Sequence, residues 1–330
     1  MPAKVSVIVP AYNAGLFIEN AINSILAQSY GGEVEILVID DQSSDNTKAL
    51  VADMARRHPQ IILLRNERAK GPSGARNTGL LTASGSYIAF LDADDAWFSN
   101  HLEEGIGFLE KYPGIDVVFY NFEICDFATK RRFGDWFSEK GFTNKVTAEN
   151  MGNQYFLIND NLFYALLEES FMHLQSMIVR KEALGEVLFN ENLTRSEDRD
   201  FSIQLFAASH ASVAYKNLVT GTYFRHGNSL TSGSLENNMM AIADHIKMFS
   251  GYLSDCPADA TAVLKLKELL CNRYMCSAYG YRKLDQHALA MLCLAKSLRY
   301  RISYAQIVEF SKIMASFFVA HIIGQKGRMK

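Results

Sequence analysis

Extended and helical patterns alternate from the N-terminus onward, and this alternation constrains the fold more than any other feature of the chain. VSVIVP, ending at Pro10, is a continuous β-branched run stopped by proline, as in a strand buried on both faces. Asn13 to Gln28 reads as a helix with Asn13 as its cap and Ile18, Ile22, Ile25 and Leu26 at helical spacing. Val34 to Ile39 is a second buried strand ended by Asp40-Asp41, and Ser44 to Arg57 a second helix capped by Ser44 or Asp45. Ile61 to Arg65 is a third strand, followed by the turn Gly71-Pro72-Ser73-Gly74 and a helix from Ala75 to Ala83. Tyr87 to Leu91 is a fourth strand, with Asp92-Ala93-Asp94-Asp95 at its end. Such a repeat predicts an α/β fold, a mostly parallel sheet with helices on both faces. Ligands in such sheets bind at the carboxyl ends of the strands. Pro10 to Asn13, Asp40-Asp41 and Asp92 to Asp95 all fall there.

The pattern continues with a helix over Asn100 to Lys111 and a strand over Val117 to Cys125. Thr129 to Ala165 is aromatic-rich and mixed, and reads as loops with short helices. A short strand is expected over Leu174 to Val179, a helix over Asp198 to Ser209 and one or two strands within Ser212 to Tyr223. From Ser234 the spacing is helical almost throughout, with one loop around Gly251 to Pro257. In the last helix Ile307, Phe310, Met314, Phe317 and Phe318 share one side, away from Gln306, Glu309, Lys312 and Ser316.

A net charge of −3 speaks against a nucleic-acid partner, because phosphate-backbone binders carry a basic face. Cys125, Cys256, Cys271, Cys276 and Cys293 match no CxxC pair or zinc spacing, and read as buried thiols in a reducing compartment. With neither a signal-peptide pattern nor an apolar run of about 18 residues, a cytoplasmic protein is expected.

Asp92 and Asp94, two apart on extended backbone, can point the same way. Their mutual repulsion is relieved by a hard cation such as Mn²⁺ or Mg²⁺, which leaves sites for phosphate oxygens. Asp94 or Asp95 would equally serve as a helix cap. Asp41 can accept from a base or ribose, while Asp40, Ser43, Ser44 and Asp45 are also the residues of a turn and cap. Gly71 to Gly79 reads GPSGARNTG, where glycines permit close approach and Arg76 sits in the first helical turn. It lacks the Lys-Ser/Thr pair of a phosphate-binding P-loop, and it follows the third strand, not the first, unlike a dinucleotide fingerprint.

VSVIVPAYN, VIDDQSSDNT, GPSGARNTGL and YIAFLDADD together resemble, in order and spacing, the family 2 glycosyltransferases of GT-A fold. The resemblance covers residues 4 to 232 and is strongest over the first hundred. It implies transfer of a sugar from a UDP- or other nucleotide-activated donor, with inversion and a divalent cation. It places Pro10, Ala11, Tyr12 and Asn13 in the nucleotide pocket, Asp41 on the base and Arg76 facing the phosphates. Asp92, Ala93 and Asp94 become the DxD motif, with Asp94 the direct metal ligand. Ser196-Glu197-Asp198 resembles the family's ED motif, with Asp198 as base and Glu197 in support. Read alone, both acids are also a favourable helix start. YFRHGNSLT, from Tyr223, resembles a segment that closes over the diphosphate: His226 would touch metal or phosphate, and Arg225 or Ser229 phosphate.

These readings divide the chain into a catalytic domain over 1–233 and a helical region over 234–330. The catalytic domain comprises a nucleotide-binding half (1–98) and an acceptor-binding half (99–233). The expected partners are a nucleotide-sugar donor and a saccharide or lipid-linked acceptor of bacterial surface-polysaccharide or glycolipid assembly. Trp136, Phe137, Phe142, Tyr155 and Phe156 are candidates for stacking on sugars, or plain core. The apolar stripe of the tail is expected to pack on the protein itself. Pairing with a second copy and peripheral contact with an anionic membrane are the alternatives, the latter suggested by Lys296, Arg299, Arg301, Lys326, Arg328 and Lys330. Two other functions compete. A sugar nucleotidyltransferase would want a Gly- and Lys-rich loop where PAYNAG stands. A non-catalytic nucleotide-sugar-binding subunit should have lost Asp94 or Asp198.

Overall fold

The structure, a computed structural model, describes residues 2–160, 162–209, 211–226, 234–255 and 259–328. Two compact units divide the chain, Met1–Ser229 and Leu230–Lys330.

The first unit opens with β1 (Val5–Ala11), α1 (Ile18–Leu26), β2 (Val34–Asp40), α2 (Thr47–Arg57), β3 (Ile61–Arg65), α3 (Pro72–Thr82) and β4 (Tyr87–Phe90). These strands are parallel in the order β3-β2-β1-β4. Chain order therefore reverses between β1 and β4, which makes the ends of those strands a natural binding crevice. Both sheet faces are covered, hence the aliphatic runs, interrupted only by the bonded pair Ser6 and Glu35 and ended by Asp40. Val5, Val7 and Val9 pack with Ile18, Ile22 and Val51 on one side. On the other side α3 lies so close that a Cβ on Gly79 would sit 2.5 Å from Ile8 Cγ2.

Two helices begin later than the sequence suggests. Asn13 does not cap α1, which starts at Ile18. Asn13 has φ of 49°, and its Oδ1 accepts from the Ser44 N–H at 2.8 Å, clasping the β1–α1 loop to the β2–α2 loop. Likewise α2 starts at Thr47; Asp45 accepts from the N–H groups of Thr47 (3.0 Å) and Gly15 (2.9 Å). The polar residues expected as caps thus bind one loop to the other.

The unit continues with β5 (Ala96–Trp97), α4 (His101–Lys111), β6 (Val117–Asp126), β7 (Arg132–Asp135), α5 (Trp136–Lys140), β8 (Thr147–Gly152), β9 (Tyr155–Asp160), α6 (Leu162–Glu168), β10 (Met177–Arg180), α7 (Lys181–Leu184), α8 (Glu197–Ser209) and β11 (Val213–Arg225). The sheet extends as β4-β10-β6-β11-β9-β8, with β10 antiparallel to both neighbours and β11 parallel to β6. The 129–165 stretch, expected as loops with short helices, holds the β8–β9 hairpin. Its outer strand, TAENMG, is polar and exposed at a sheet edge, so it carries no alternating pattern. Phe137, Phe142 and Tyr155 are buried core and are not available to stack on a sugar. Phe142 stacks on Phe171.

The second unit contains α9 (Leu235–Asp255), α10 (Ala260–Lys283), α11 (His287–Ser297) and α12 (Tyr304–Arg328). α9 runs through Gly251, where a loop was expected. α10 packs against the other three helices, and Ala278, Ala290, Leu294 and Ile313 form a core. The expectation that the apolar stripe of α12 packs inward fails. Gln306, Glu309 and Ile313 are buried, while Ile307, Phe310 and Phe317 are exposed. Among the described cysteines, Cys125 and Cys271 are buried as expected, but Cys276 is exposed; all four are free thiols.

Candidate active site

Three loops meet at the carboxyl ends of β1, β2 and β4. Asp41, just past β2, is buried; its carboxylate accepts from Asn66 Nδ2 at 2.6 Å and from the Gly71 N–H at 2.8 Å. It thereby ties the end of β2 to the loop before α3. That loop is tight, since a Cβ on Gly74 would lie 1.9 Å from the Ala69 carbonyl oxygen. Pro10 and Ala11 form the end of β1, with Ala11 buried. Tyr12 is exposed, with Lys70 Nζ 4.6 Å from its ring centroid. Tyr12 and Asn13 are both exposed at this edge.

Arg76 on α3 is buried and joins two segments far apart in sequence. Its Nη2 donates to Asp92 at 2.8 Å and its Nη1 to Glu197 at 2.9 Å. Burial alone would lower the guanidinium pKa, but Asp92 and Glu197 outweigh it and raise it. Asp92 is also under a burial penalty, yet Arg76 holds its carboxyl below the usual range. The sequence suggested Arg76 as a phosphate contact; the structure engages its guanidinium with carboxylates.

The other two acids of the DADD segment have different environments. Asp94 is half-buried, and its Oδ2 lies 2.8 Å from His226 Nε2. Burial and neighbouring Asp92 raise its pKa. Asp95 is fully buried; burial and then Asp94 and Asp92 push its carboxyl well up. Its Oδ1 accepts from the Phe224 N–H at 2.8 Å. The carboxyl thus fastens the end of β11, two residues before His226. Ala93 is buried between the acids.

Glu197 opens α8 and Asp198 follows it. Burial raises both pKa values; Arg76 opposes this at Glu197, and the Arg199 N–H opposes it at Asp198, which accepts from that N–H at 2.7 Å. Arg199 anchors α8 by donating to the carbonyls of Leu166 (2.6 Å) and Leu167 on α6. Arg225 is paired with Glu139 at 2.8 Å. Ser229 lies outside the described residues.

Sequence reasoning missed three contributors. Phe17 stacks on His226 with centroids 4.7 Å apart. Glu139 occupies Arg225. His173 lies among Phe122, Trp136 and Tyr223, and the charges of Asp92, Arg76, Asp94 and Glu197 act on it, while burial lowers its pKa. None sits in a motif; the packing of the loop before α1, of α5 and of the segment before β10 brings them to these partners.

Among the described residues, no group of three or more His, Cys, Asp or Glu side chains gathers as a metal cage. Asp94 and His226 instead lie together as two donors, with one carboxylate oxygen of Asp92 already taken by Arg76. That suits Mg²⁺ or Mn²⁺, which take one or two carboxylates and complete their shell with phosphate oxygens and water.

The family model described as glycosyl transferase family 2 matches residues 6–186, and the chain belongs to that family. Its first unit has the GT-A arrangement. One relative is the Escherichia coli UDP-Glc:alpha-D-GlcNAc-diphosphoundecaprenol beta-1,3-glucosyltransferase WfgD, 48% identical over 122 residues, covering 37% of this chain and 47% of that one. The chain spans less than half the length of several curated relatives that it matches. Among solved structures, S. aureus TarS 1-349 in complex with UDP-GlcNAc superposes with TM-score 0.56 at 18% identity, covering 94% of this chain and 92% of that one. The mannosyltransferase PcManGT from Pyrobaculum calidifontis, in complex with GDP-Man and Mn2+, superposes with TM-score 0.57 at 18% identity, covering 96% and 81%.

Proposed function

We propose that this chain is an inverting glycosyltransferase. It moves a sugar from a nucleotide-sugar donor, taken here as a UDP-sugar, to a saccharide or lipid-linked acceptor in bacterial surface-polysaccharide or glycolipid assembly. The observation that carries this reading is the Asp92–Arg76–Glu197 chain of ion pairs, which joins the DxD segment to the acids at the start of α8. A donor site and a base must stand together for an inverting transfer, and one buried guanidinium couples them here. The relatives' names point the same way: one uses UDP-Glc and a diphosphoundecaprenol acceptor, and two structural neighbours hold UDP-GlcNAc or GDP-Man with Mn2+.

In this reading residues 1–98 bind the nucleotide, 99–233 the acceptor, and 234–330 form a separate helical region. Pro10, Ala11, Tyr12 and Asn13 line the nucleotide pocket, and Asp41 contacts the base with the lone pairs that Asn66 and Gly71 leave. Asp198 takes the proton from the acceptor hydroxyl. The acceptor oxygen then bonds to the anomeric carbon from the face opposite the leaving group, and the anomeric carbon–oxygen bond to the diphosphate breaks. Arg76 favours the ionised forms of Glu197 and Asp92 and holds both carboxylates in place. A divalent cation held by Asp94, with Asp92 and His226 beside it, would neutralise charge on the departing diphosphate. Arg225 and Ser229 belong to the segment proposed to close over the phosphates. A lipid-linked acceptor, of the kind named for WfgD, would have the enzyme work in the cytoplasm at the inner face of the cell membrane.

The test is hydrolysis and binding of a panel of nucleotide sugars, with and without Mn²⁺, by wild type and Asp94→Ala. Metal-dependent release of one nucleoside diphosphate, lost in the variant, is expected. Absence of metal-dependent binding for every donor would sink the assignment, and donor binding that needs no metal and releases no diphosphate would favour the non-catalytic subunit.

A further inference from the structure

The last helix is built inside out. One of its stripes carries Gln306, Glu309, Ile313 and Ser316. Gln306 is 3% exposed, Glu309 7% and Ile313 1%. The inward polar groups are well bonded. Gln306 Nε2 donates to the Arg301 carbonyl at 2.7 Å and to Ser297 Oγ at 2.9 Å, and its Oε1 accepts from the Ser303 N–H at 2.6 Å. Glu309 accepts from Arg282 Nε at 2.7 Å, and Ser316 Oγ lies 2.9 Å from His287 Nε2. The opposite stripe presents Tyr304, Ile307 and Phe310 to solvent at 78%, 60% and 44%. A helix whose only apolar partner was its own bundle would be turned the other way. Exposed apolar side chains in a row mark a surface made to meet something else.

Charge decides what that is. From Gln286 to Lys330 the sequence holds seven lysines and arginines against a single acid, Glu309. That acid is buried against Arg282 and does not offset the surface. The chain as a whole is at −3, so this end is basic and the remainder acidic. Two copies meeting through this face would bring like charges together. An anionic bilayer brings opposite charges together and accepts apolar side chains at the headgroup boundary. Among the described residues no helix is long and apolar enough to cross a membrane, so contact from this helix is in the plane of the surface. We propose that the Tyr304–Ile307–Phe310 face of α12 docks on an anionic lipid surface, with the basic residues of 296–330 supplying the electrostatic attraction.

The experiment is co-sedimentation of the full chain with vesicles of phosphatidylcholine alone or mixed with phosphatidylglycerol, without donor or acceptor, so its outcome is separate from the transferase assignment. Wild type is expected to sediment with the anionic vesicles and to be released at about 0.5 M salt. Ile307→Asp/Phe310→Asp should bind roughly tenfold more weakly or worse, with an unchanged circular dichroism spectrum because both side chains face solvent. Arg299→Glu/Lys312→Glu, which leaves the apolar stripe intact, should also weaken binding. Equal binding of wild type and both variants would overturn the proposal. So would a wild-type dimer in light scattering that Ile307→Asp/Phe310→Asp converts to monomer, since the face would then be a self-interface.

Discussion

Replacing Arg76 with methionine removes one cation from between two carboxylates and leaves both in place. Asp92 lies 2.8 Å from the guanidinium and Glu197 2.9 Å, with the arginine buried. Removing one partner of a buried ion pair costs about 3–5 kcal/mol, because the remaining charge is stranded. For a domain of this size that corresponds to a fall of roughly 6–20 °C in melting temperature at pH 7. Lysine should recover only part, since its ammonium cannot form the two-pronged contact. The pH dependence carries a sign. In wild type, burial raises the Glu197 pKa and Arg76 opposes it. Without Arg76 the folded-state value rises further above its unfolded value near 4.5. The penalty for ionised Glu197 is then fully present above the raised folded value and disappears as pH falls towards 4.5. The deficit of Arg76→Met should therefore shrink on acidification from pH 7 to 5, and Glu197→Gln added to Arg76→Met should restore part of the stability at pH 7. Melting curves of the four proteins at both pH values give the answer. A deficit under about 1 kcal/mol, well short of the cost of a stranded buried charge, would refute the reasoning. A deficit unchanged between pH 7 and 5 would do the same.

Other expectations follow from the same residues. Asp198→Asn should lower kcat by roughly 10²–10⁴-fold with little change in donor affinity; because burial raises the Asp198 pKa, the wild-type rate should climb with pH through that raised value. Asp95→Asn keeps an acceptor for the Phe224 N–H and removes a carboxyl whose ionised form burial disfavours, so stability at pH 7 should be unchanged or higher, whereas Asp95→Ala should cost about 1–3 kcal/mol in chemical denaturation. Glu35 bonds Ser6 Oγ, the Ser84 N–H and Oγ, and Lys4. Despite its burial penalty its pKa is held down at about 2, below the ordinary glutamate value of 4.5. It therefore contributes stability above pH 4.5 that is lost as pH falls to about 2, on the order of 3 kcal/mol. Glu35→Gln should flatten that part of the acid-unfolding profile. Gly74→Ala should fail to fold or melt far earlier, since its Cβ would strike the Ala69 carbonyl.

Much of this protein was legible along the chain because local rules set it. VSVIVP, VEILVID and YIAF are apolar apart from Ser6 and Glu35, which bond each other, and the terminal Asp40, because helices cover both faces of the sheet, and the polar clusters at their ends had nowhere to go but the carboxyl edge. Other features depended on contacts between distant segments. Spacing could not indicate that Asn13 closes one loop on another, that Arg76 bridges Asp92, 16 residues on, and Glu197, 121 residues on, or that His173 stands beside the acids. It also misassigned α12. Helical periodicity marks an apolar face, but not the direction in which it points. Gln306 and Glu309 are inside because Arg282, Ser297 and the 301–303 backbone supply partners there. Periodicity belongs to one helix, whereas satisfying a buried polar group requires another, and so only the tertiary structure decided which face met solvent.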